Sequence, residues 1–139
     1  MLRTEPELIE KYVKTGKVLL VFHPVINHGL SSLYPHAAAD CIGQQSSDLF
    51  WVAHNRFFEN QGQLYSATRD YFIQEAIAIG ADEAAFTACY DNEIGVDRVL
   101  FQDELRRERG VYGQPTFTIN EQINFGSFGL LEIIEQAVN

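Results

Sequence analysis

The sequence predicts an α/β fold in which a small sheet is interrupted by a large helical insertion. Three observations predict it. Residues 17–23 form a continuous apolar run, residues 115–125 alternate as a hairpin would, and helical periodicity fills most of the chain between them. The expected order is therefore helix, strand, a block of helices, hairpin and helix, which is typical of an α/β chain.

The first helix and the first strand are predicted by their end signals. Residues 4–7, Thr-Glu-Pro-Glu, have the form of a capping box, with the proline in the first turn, where its missing N–H costs nothing. Apolar residues follow at helical spacing, and Gly16 ends the helix near Lys14. The run from Lys17 to His23 lacks polar alternation and ends at Pro24, so we expect a strand that is buried on both faces.

The middle of the chain is predicted to be helical. Its stop signals are Gly80 and Gly110, and residues 61–66 are expected to form a loop. The expected helices span about residues 32–45, 49–60, 68–79, 82–90 and 94–109. Six aromatic side chains of these helices are more typical of a core than of a ligand cage: Phe50, Trp51, Phe57, Phe58, Tyr71 and Phe72.

The end of the chain changes its pattern from helical to strand-like. Residues 115–119 alternate as a strand, Asn120-Glu121 is typical of a turn, and residues 122–125 form a second short strand. An amphipathic segment over residues 128–138 predicts a final helix. These elements complete a single domain.

Composition excludes several classes of function. The formal net charge is -9 and 46% of the residues are hydrophobic, so a core can form but nucleic acid and anionic membrane surfaces are not expected partners. The one basic cluster, residues 106–109, is interleaved with glutamates and reads as a solvated helix face. No run of 18 apolar residues predicts a membrane span, and the first residues do not form a signal peptide.

Neither metal nor cofactor chemistry is predicted. Cys41 and Cys89 are the two cysteines, and their separation excludes a local metal knuckle and a local Cys-x-x-Cys pair. His36 and Cys41 lie five residues apart on a predicted helix, which is a poor spacing for two ligands of one metal ion. The sequence also has no glycine-rich phosphate loop. We therefore expect no metal site and no cofactor.

One local motif carries a family resemblance. The segment Gly113-Gln114-Pro115-Thr116-Phe117 follows a helix that ends at glycine and opens a strand, and it resembles the cis-proline loop of the thioredoxin superfamily. Four further segments resemble bacterial DsbA-like thiol-disulfide oxidoreductases in the same order: residues 7–18, 37–41, 50–61 and 85–91. The resemblance implies one thioredoxin-like domain over residues 1–139. Residues 1–23 and 111–139 would be its thioredoxin core, and residues 24–110 its helical insertion.

The resemblance also implies roles for four residues. Pro115 would be the cis-proline, and the backbone of Gln114 would hold an extended substrate, either an unfolded or a disulfide-containing polypeptide. Cys41 and Cys89 match positions at which some relatives carry a structural disulfide. The alternative is that both cysteines are reduced and buried as small hydrophobic residues. The family implies an extracytoplasmic location, periplasmic or secreted, although these residues include no signal peptide.

The chain also departs from the family pattern. DsbA-like proteins have a strand and a Cys-x-x-Cys before the region matched by Thr4 to Val13, and neither is found here. One interpretation is an N-terminally truncated disulfide oxidoreductase or isomerase that is inactive in dithiol exchange. The alternative is a redox-inactive module that binds peptides or a partner, including a strand-exchanged homodimer. A third interpretation, a helical protein unrelated to thioredoxins, would be favoured by a trans Pro115 or by free cysteines.

Overall fold

The computed structural model of this chain describes residues 4–139. Their packing divides the chain into two compact units. We call the first the core unit, which contains the described residues up to His23 together with Arg106–Asn139. We call the second the helical unit, which spans Pro24–Leu105. The division after residue 105 falls inside a long helix, five residues before the position expected from the sequence.

Helices at both ends of the chain form the hydrophobic centre of the core unit. Helix α1 spans Thr4–Leu8 and continues as a π-helical turn over Ile9–Val13, and the last helix, α8, spans Leu130–Val138. Four side chains from these elements are buried against one another: Leu8, Tyr12, Leu130 and Ile134. The apolar residues whose spacing predicted both helices therefore form the buried face of each helix.

The hairpin of the core unit has the register that its sequence predicts. Strand β1 spans Thr116–Ile119 and pairs antiparallel with β2, Gln122–Phe125. Asn120 and Glu121 connect the strands with φ of 46° and 68°, the conformation that a tight two-residue hairpin turn requires. Because side chains alternate along a strand, Phe117 and Ile119 share one face, and both pack against the buried helices.

The prediction of a buried strand over residues 17–23 is wrong. These residues adopt no regular secondary structure. Val18 and Leu20 pack against the buried helices, whereas Leu19 is 87% exposed and Val21 is 61% exposed. The alternating exposure keeps the period of a strand. In the described part of the chain no neighbouring strand pairs with this segment, and so its apolar sequence alone does not make it a strand.

The helical unit consists of short helices joined by tight connections. Their bounds agree with the predicted ones to within about two residues, except that the expected loop after residue 60 contains a one-turn helix. The helices are α2 Leu30–Gly43, α3 Ser47–Glu59, α4 Gln61–Leu64, α5 Arg69–Ala78, α6 Glu83–Asp91 and α7 Ile94–Glu108, whose last turn belongs to the core unit. Side-chain caps begin three of them: Ser46, Thr68 and Asp82.

Aromatic and small side chains form the centre of the helical unit. Phe72 and Phe86 are almost completely buried, and the Phe72 ring lies edge-on to Phe57 with 5.8 Å between the ring centroids. Trp51 and Phe58 are only half-buried, and both contact the buried His54 ring. Most of the aromatic block is thus core, as the sequence indicated. Among the described helices, none is long and apolar enough to cross a lipid bilayer.

Candidate functional site

The loop between α7 and β1 contains the two residues that the resemblance assigns to substrate binding. Gly110 follows α7 with φ of 76°, and the Arg106 guanidinium donates a hydrogen bond to the Val111 carbonyl oxygen over 2.8 Å. The peptide bond between Gln114 and Pro115 is cis. Gln114 is exposed and Pro115 is half-buried. Both residues therefore lie at the accessible start of β1.

One hydrogen bond just before β1 determines which way the strand's backbone groups point. The Gly126 N–H donates to the Pro115 carbonyl oxygen over 2.8 Å, so Pro115 faces β2. Residues of a strand face opposite edges in alternation. Phe117 therefore also faces β2, and Thr116 and Thr118 face away from it. Within residues 4–139, β1 pairs with β2 alone. We call the outward-facing backbone of Thr116 and Thr118 the open edge.

Exposed apolar side chains lie close to this open edge. In the hairpin register, Thr116 is opposite Phe125 and Thr118 is opposite Ile123, so these four side chains share one face of the sheet. Phe125 is 69% exposed and Ile123 is 41% exposed. Tyr112, in the loop before Gln114, is 75% exposed. An extended chain along β1 would therefore meet both unpaired backbone groups and apolar side chains.

The two cysteines lie in the helical unit, where three helices converge. Cys41 of α2 and Cys89 of α6 form a disulfide, with their Cα atoms 5.7 Å apart. The pairing implied by the resemblance is therefore confirmed, and the alternative of two reduced cysteines does not hold for this structure. Cys41 is 1% exposed, whereas Cys89 is half-buried.

An ion pair borders the disulfide. From α7, Arg98 donates through Nε to Asp40 Oδ2 over 2.7 Å, and its Nη2 lies 3.4 Å from Cys89 Sγ. Burial raises the pKa of the Asp40 carboxyl group, and the hydrogen bond from Arg98 opposes that rise. The disulfide thus lies beside a half-buried charged pair.

Close approach of α7 to α2 is possible because residue 95 is glycine. A Cβ atom at Gly95 would lie 2.6 Å from the Ala37 carbonyl oxygen and 2.8 Å from Cys41 Sγ. Both distances are shorter than van der Waals contact allows. The backbone of α7 at Gly95 therefore packs directly against the Cys41 sulfur.

Comparison with protein families decides the relationship of this chain. A family model described as Thioredoxin matches residues 2–129, nearly the whole chain. The chain belongs to the thioredoxin family. The α/β class and the thioredoxin-like fold expected from the sequence are confirmed, and the interpretation as an unrelated helical protein is wrong. No curated protein and no solved structure gives a significant match.

Membership of the thioredoxin family indicates a domain of the disulfide oxidoreductase type. The redox pair of such a domain is a Cys-x-x-Cys, in which a low-pKa thiolate attacks the substrate disulfide. The 139 residues of this thioredoxin-family chain contain no such pair. Their two cysteines are bonded to each other in the helical unit.

His36 of the helical unit is half-buried, and the buried side chains of His54 and Asp103 lie near it. Burial lowers the pKa of His36 to about 4, the neighbouring His54 lowers it as well, and Asp103 raises it. Asp103 is 4% exposed and accepts a hydrogen bond from the Ile26 N–H over 2.8 Å. The sequence does not favour a metal site of His36 with Cys41. Among the described residues, the potential ligand group that the structure assembles is instead Asp40, Cys41 and Cys89.

Sequence reasoning found the loop but missed the surroundings of the disulfide. Asp40 and Arg98 are 58 residues apart in sequence. In the pattern of its own helix, each is an ordinary charged residue. Their pairing depends on how α2 and α7 pack, for which the sequence gives no local signal. The outward orientation of Thr116 and Thr118 follows from the two-residue turn at Asn120-Glu121, and the hydrogen bond at Pro115 agrees with it.

Proposed function

We propose that this chain is the polypeptide-binding part of a DsbA-like thioredoxin domain. It binds unfolded or disulfide-containing polypeptides in extended form along the open edge, next to Gln114 and Pro115. It does not exchange disulfides on its own. The observation that carries the proposal is the open edge, the outward-facing backbone of Thr116 and Thr118. Gln114 is exposed just before this strand begins.

Strand addition is the binding mode that this edge favours. An extended peptide that lies beside β1 would pair its backbone with the N–H and C=O groups of Thr116 and Thr118. Backbone pairing does not depend on peptide sequence, as a protein that acts on many unfolded chains requires. The exposed side chains of Phe125 and Ile123 add apolar contacts that favour unfolded over folded partners. The net charge of -9 argues against a nucleic-acid partner.

The absence of dithiol exchange follows from the positions of the cysteines. A thiolate nucleophile requires a free cysteine, and both cysteines form the disulfide in the helical unit. An external thiol can reach Cys41 only with difficulty, since its side chain is buried. A persistent disulfide also fits an extracytoplasmic, oxidising compartment. We therefore expect no turnover in a dithiol oxidation assay of this chain.

A pair of variants at Thr118 tests the proposal. Thr118→Pro removes the outward N–H and leaves the side of β1 that faces β2 unchanged, a position where an edge strand tolerates proline. Thr118→Val is the matched control, because it changes the exposed side chain and keeps the N–H. The probe is a fluorescently labelled, reduced and carboxymethylated polypeptide that cannot fold, and the readout is anisotropy.

The two variants have different expected affinities for the probe. Thr118→Pro should weaken binding by about tenfold or more, because roughly one buried hydrogen bond is lost and the neighbouring hydrogen bonds are disturbed. Thr118→Val should bind like the natural chain. Equal affinities of the two variants would show that the peptide binds elsewhere. Circular dichroism of both variants confirms that the hairpin and helices are retained.

A second candidate function is a redox-inactive module that forms a strand-exchanged homodimer. The observation that favours it is the segment of residues 18–21, which has the alternating exposure of a strand but no strand partner in the described chain. In such a dimer, this segment of one copy would pair with the open edge of the other. Size-exclusion chromatography with light scattering distinguishes the two. A dimer that Thr118→Pro converts to a monomer favours this function, and a monomeric natural chain excludes it.

A further inference from the structure

The packing of α2 against α6 brings together three groups that bind metal ions. The carboxylate of Asp40 and the sulfur atoms of Cys41 and Cys89 lie within 4.8 Å of one another. In the oxidised chain the two sulfurs are bonded to each other and are poor ligands. Reduction would release two thiols in the same place, next to a carboxylate that is already held in position.

We propose that reduction of the Cys41–Cys89 bond creates a binding site for a divalent cation of the zinc type. Asp40, Cys41 and Cys89 supply one oxygen and two sulfur ligands, and water completes a tetrahedron. Bonds of about 2.3 Å to sulfur and about 2.0–2.2 Å to oxygen place such ligand atoms roughly 3.5–3.8 Å apart. Reduction allows the two bonded sulfurs to separate to that distance, and the ligand oxygen of Asp40 lies within 4.8 Å of both.

The steps balance in atoms and electrons. A dithiol reductant transfers two electrons and two protons to the Cys41–Cys89 bond and becomes a disulfide itself. Cys41 and Cys89 are then thiols. The cation displaces the two thiol protons, which pass to solvent, and forms two metal–sulfur bonds.

Charge balance favours a divalent cation only when the Cys41–Cys89 bond is reduced. In the oxidised chain, the positive charge of Arg98 and the negative charge of Asp40 cancel, since the disulfide is neutral. With both thiols ionised, the three ligands carry three negative charges and Arg98 one positive charge, which leaves two negative charges. A divalent cation neutralises them completely, as a half-buried site requires.

Arg98 would also hold the ligating carboxylate. Both of its contacts, from Nε at 2.7 Å and Nη2 at 2.6 Å, go to Oδ2 of Asp40. Metal-bound carboxylates are commonly oriented by such an outer hydrogen bond, whose loss weakens binding about 10–100-fold. Gly95 closes the α7 side of Cys41. An ion would therefore enter past Cys89 and Arg98, of which Arg98 is 35% exposed.

The test is a zinc titration of the whole chain in both redox states. The chain is reduced with a phosphine, which does not bind zinc through sulfur, and is then exchanged into anaerobic buffer. Zinc binding is measured by competition with a chromophoric chelator. Cobalt is a second probe, since bonds to sulfur give it a charge-transfer absorption band. The variants are Asp40→Asn, Cys89→Ser and, as a matched control, Asp97→Asn, which removes an exposed carboxylate of α7 next to Arg98.

The expected result is one zinc ion per reduced chain and none per oxidised chain. Cys89→Ser should abolish binding, Asp40→Asn should weaken it about tenfold or more, and Asp97→Asn should bind like the natural chain. If reduction unfolds the helical unit, zinc should restore its circular dichroism, since metal binding then drives folding. Equal affinity for zinc in the two redox states would overturn the proposal. So would equal affinities of Asp40→Asn and Asp97→Asn, or a reduced chain that zinc fails to refold.

Discussion

The backbone N–H of Gly126 lies 2.8 Å from the carbonyl oxygen of Pro115 and donates a hydrogen bond to it. This bond extends the pairing of β1 and β2 by one residue, to the proline itself. It sets the alternation of the strand, so that Thr116 and Thr118 direct their backbone groups away from β2. The open edge thus begins immediately after the loop that the thioredoxin resemblance assigns to substrate.

The disulfide is expected to contribute much of the stability of the helical unit. It links α2 to α6 across 48 residues of chain. A Cys41→Ala, Cys89→Ala double variant should lower the free energy of unfolding by about 2–4 kcal/mol, because the unfolded chain is no longer constrained. Urea unfolding of the oxidised chain and of the variant measures the difference. Reductant should destabilise the natural chain and leave the double variant unaffected, and an equal effect on both would contradict the assignment.

Gly95 is expected to tolerate no side chain. Gly95→Ala would place a methyl group 2.6 Å from the Ala37 carbonyl oxygen and 2.8 Å from Cys41 Sγ. Helix α7 must then move away from α2, at a cost of about 1–3 kcal/mol in the free energy of unfolding. Gly62→Ala is the matched control, since a methyl group there meets nothing within 4 Å. In a short helix that change should be neutral or stabilising by up to about 1 kcal/mol. Thermal unfolding of both variants measures the contrast, and similar transition temperatures would refute this packing.

Acid is expected to destabilise the helical unit through His36. Burial lowers the pKa of this histidine from 6.5 to about 4. As pH falls from about 6.5 towards 4, the unfolded chain binds a proton that the folded chain does not, so the free energy of unfolding decreases. The full decrease is up to about 3 kcal/mol, and it levels off below the folded pKa.

A His36→Gln variant isolates this contribution. It should flatten the dependence of unfolding free energy on pH in the interval above pH 4. Urea unfolding at several pH values supplies the curves. Parallel curves for His36→Gln and the natural chain would mean that the folded chain does not hold His36 in its neutral form.

Local patterns predicted most elements of the fold. Apolar spacing, helix caps and glycine stops gave α1 to α8 apart from the short α4, and the strand alternation with Asn120-Glu121 gave the hairpin. Each of these signals acts within a few residues. The resemblance of the segment around Pro115 then indicated the thioredoxin family, which the family match confirmed.

Relations between distant residues could not be predicted in the same way. The apolar run at residues 17–23 has the composition of a buried strand, but strand formation requires a neighbour that pairs with it. Leu19 and Val21 are therefore exposed although both are strongly hydrophobic. The ion pair of Arg98 with Asp40 likewise depends on packing between helices far apart in sequence.

Amide hydrogen exchange at Thr118, with and without an unfolded polypeptide, tests the proposed binding edge most directly. The Thr118 N–H faces away from β2, so it should exchange rapidly in the free chain and slowly when the carboxymethylated polypeptide is bound. The Phe117 N–H, which faces β2, should be protected in both states. Slower exchange at Thr118 on binding is the result that our account predicts. A polypeptide that binds while Thr118 exchange stays unchanged would contradict strand addition at β1.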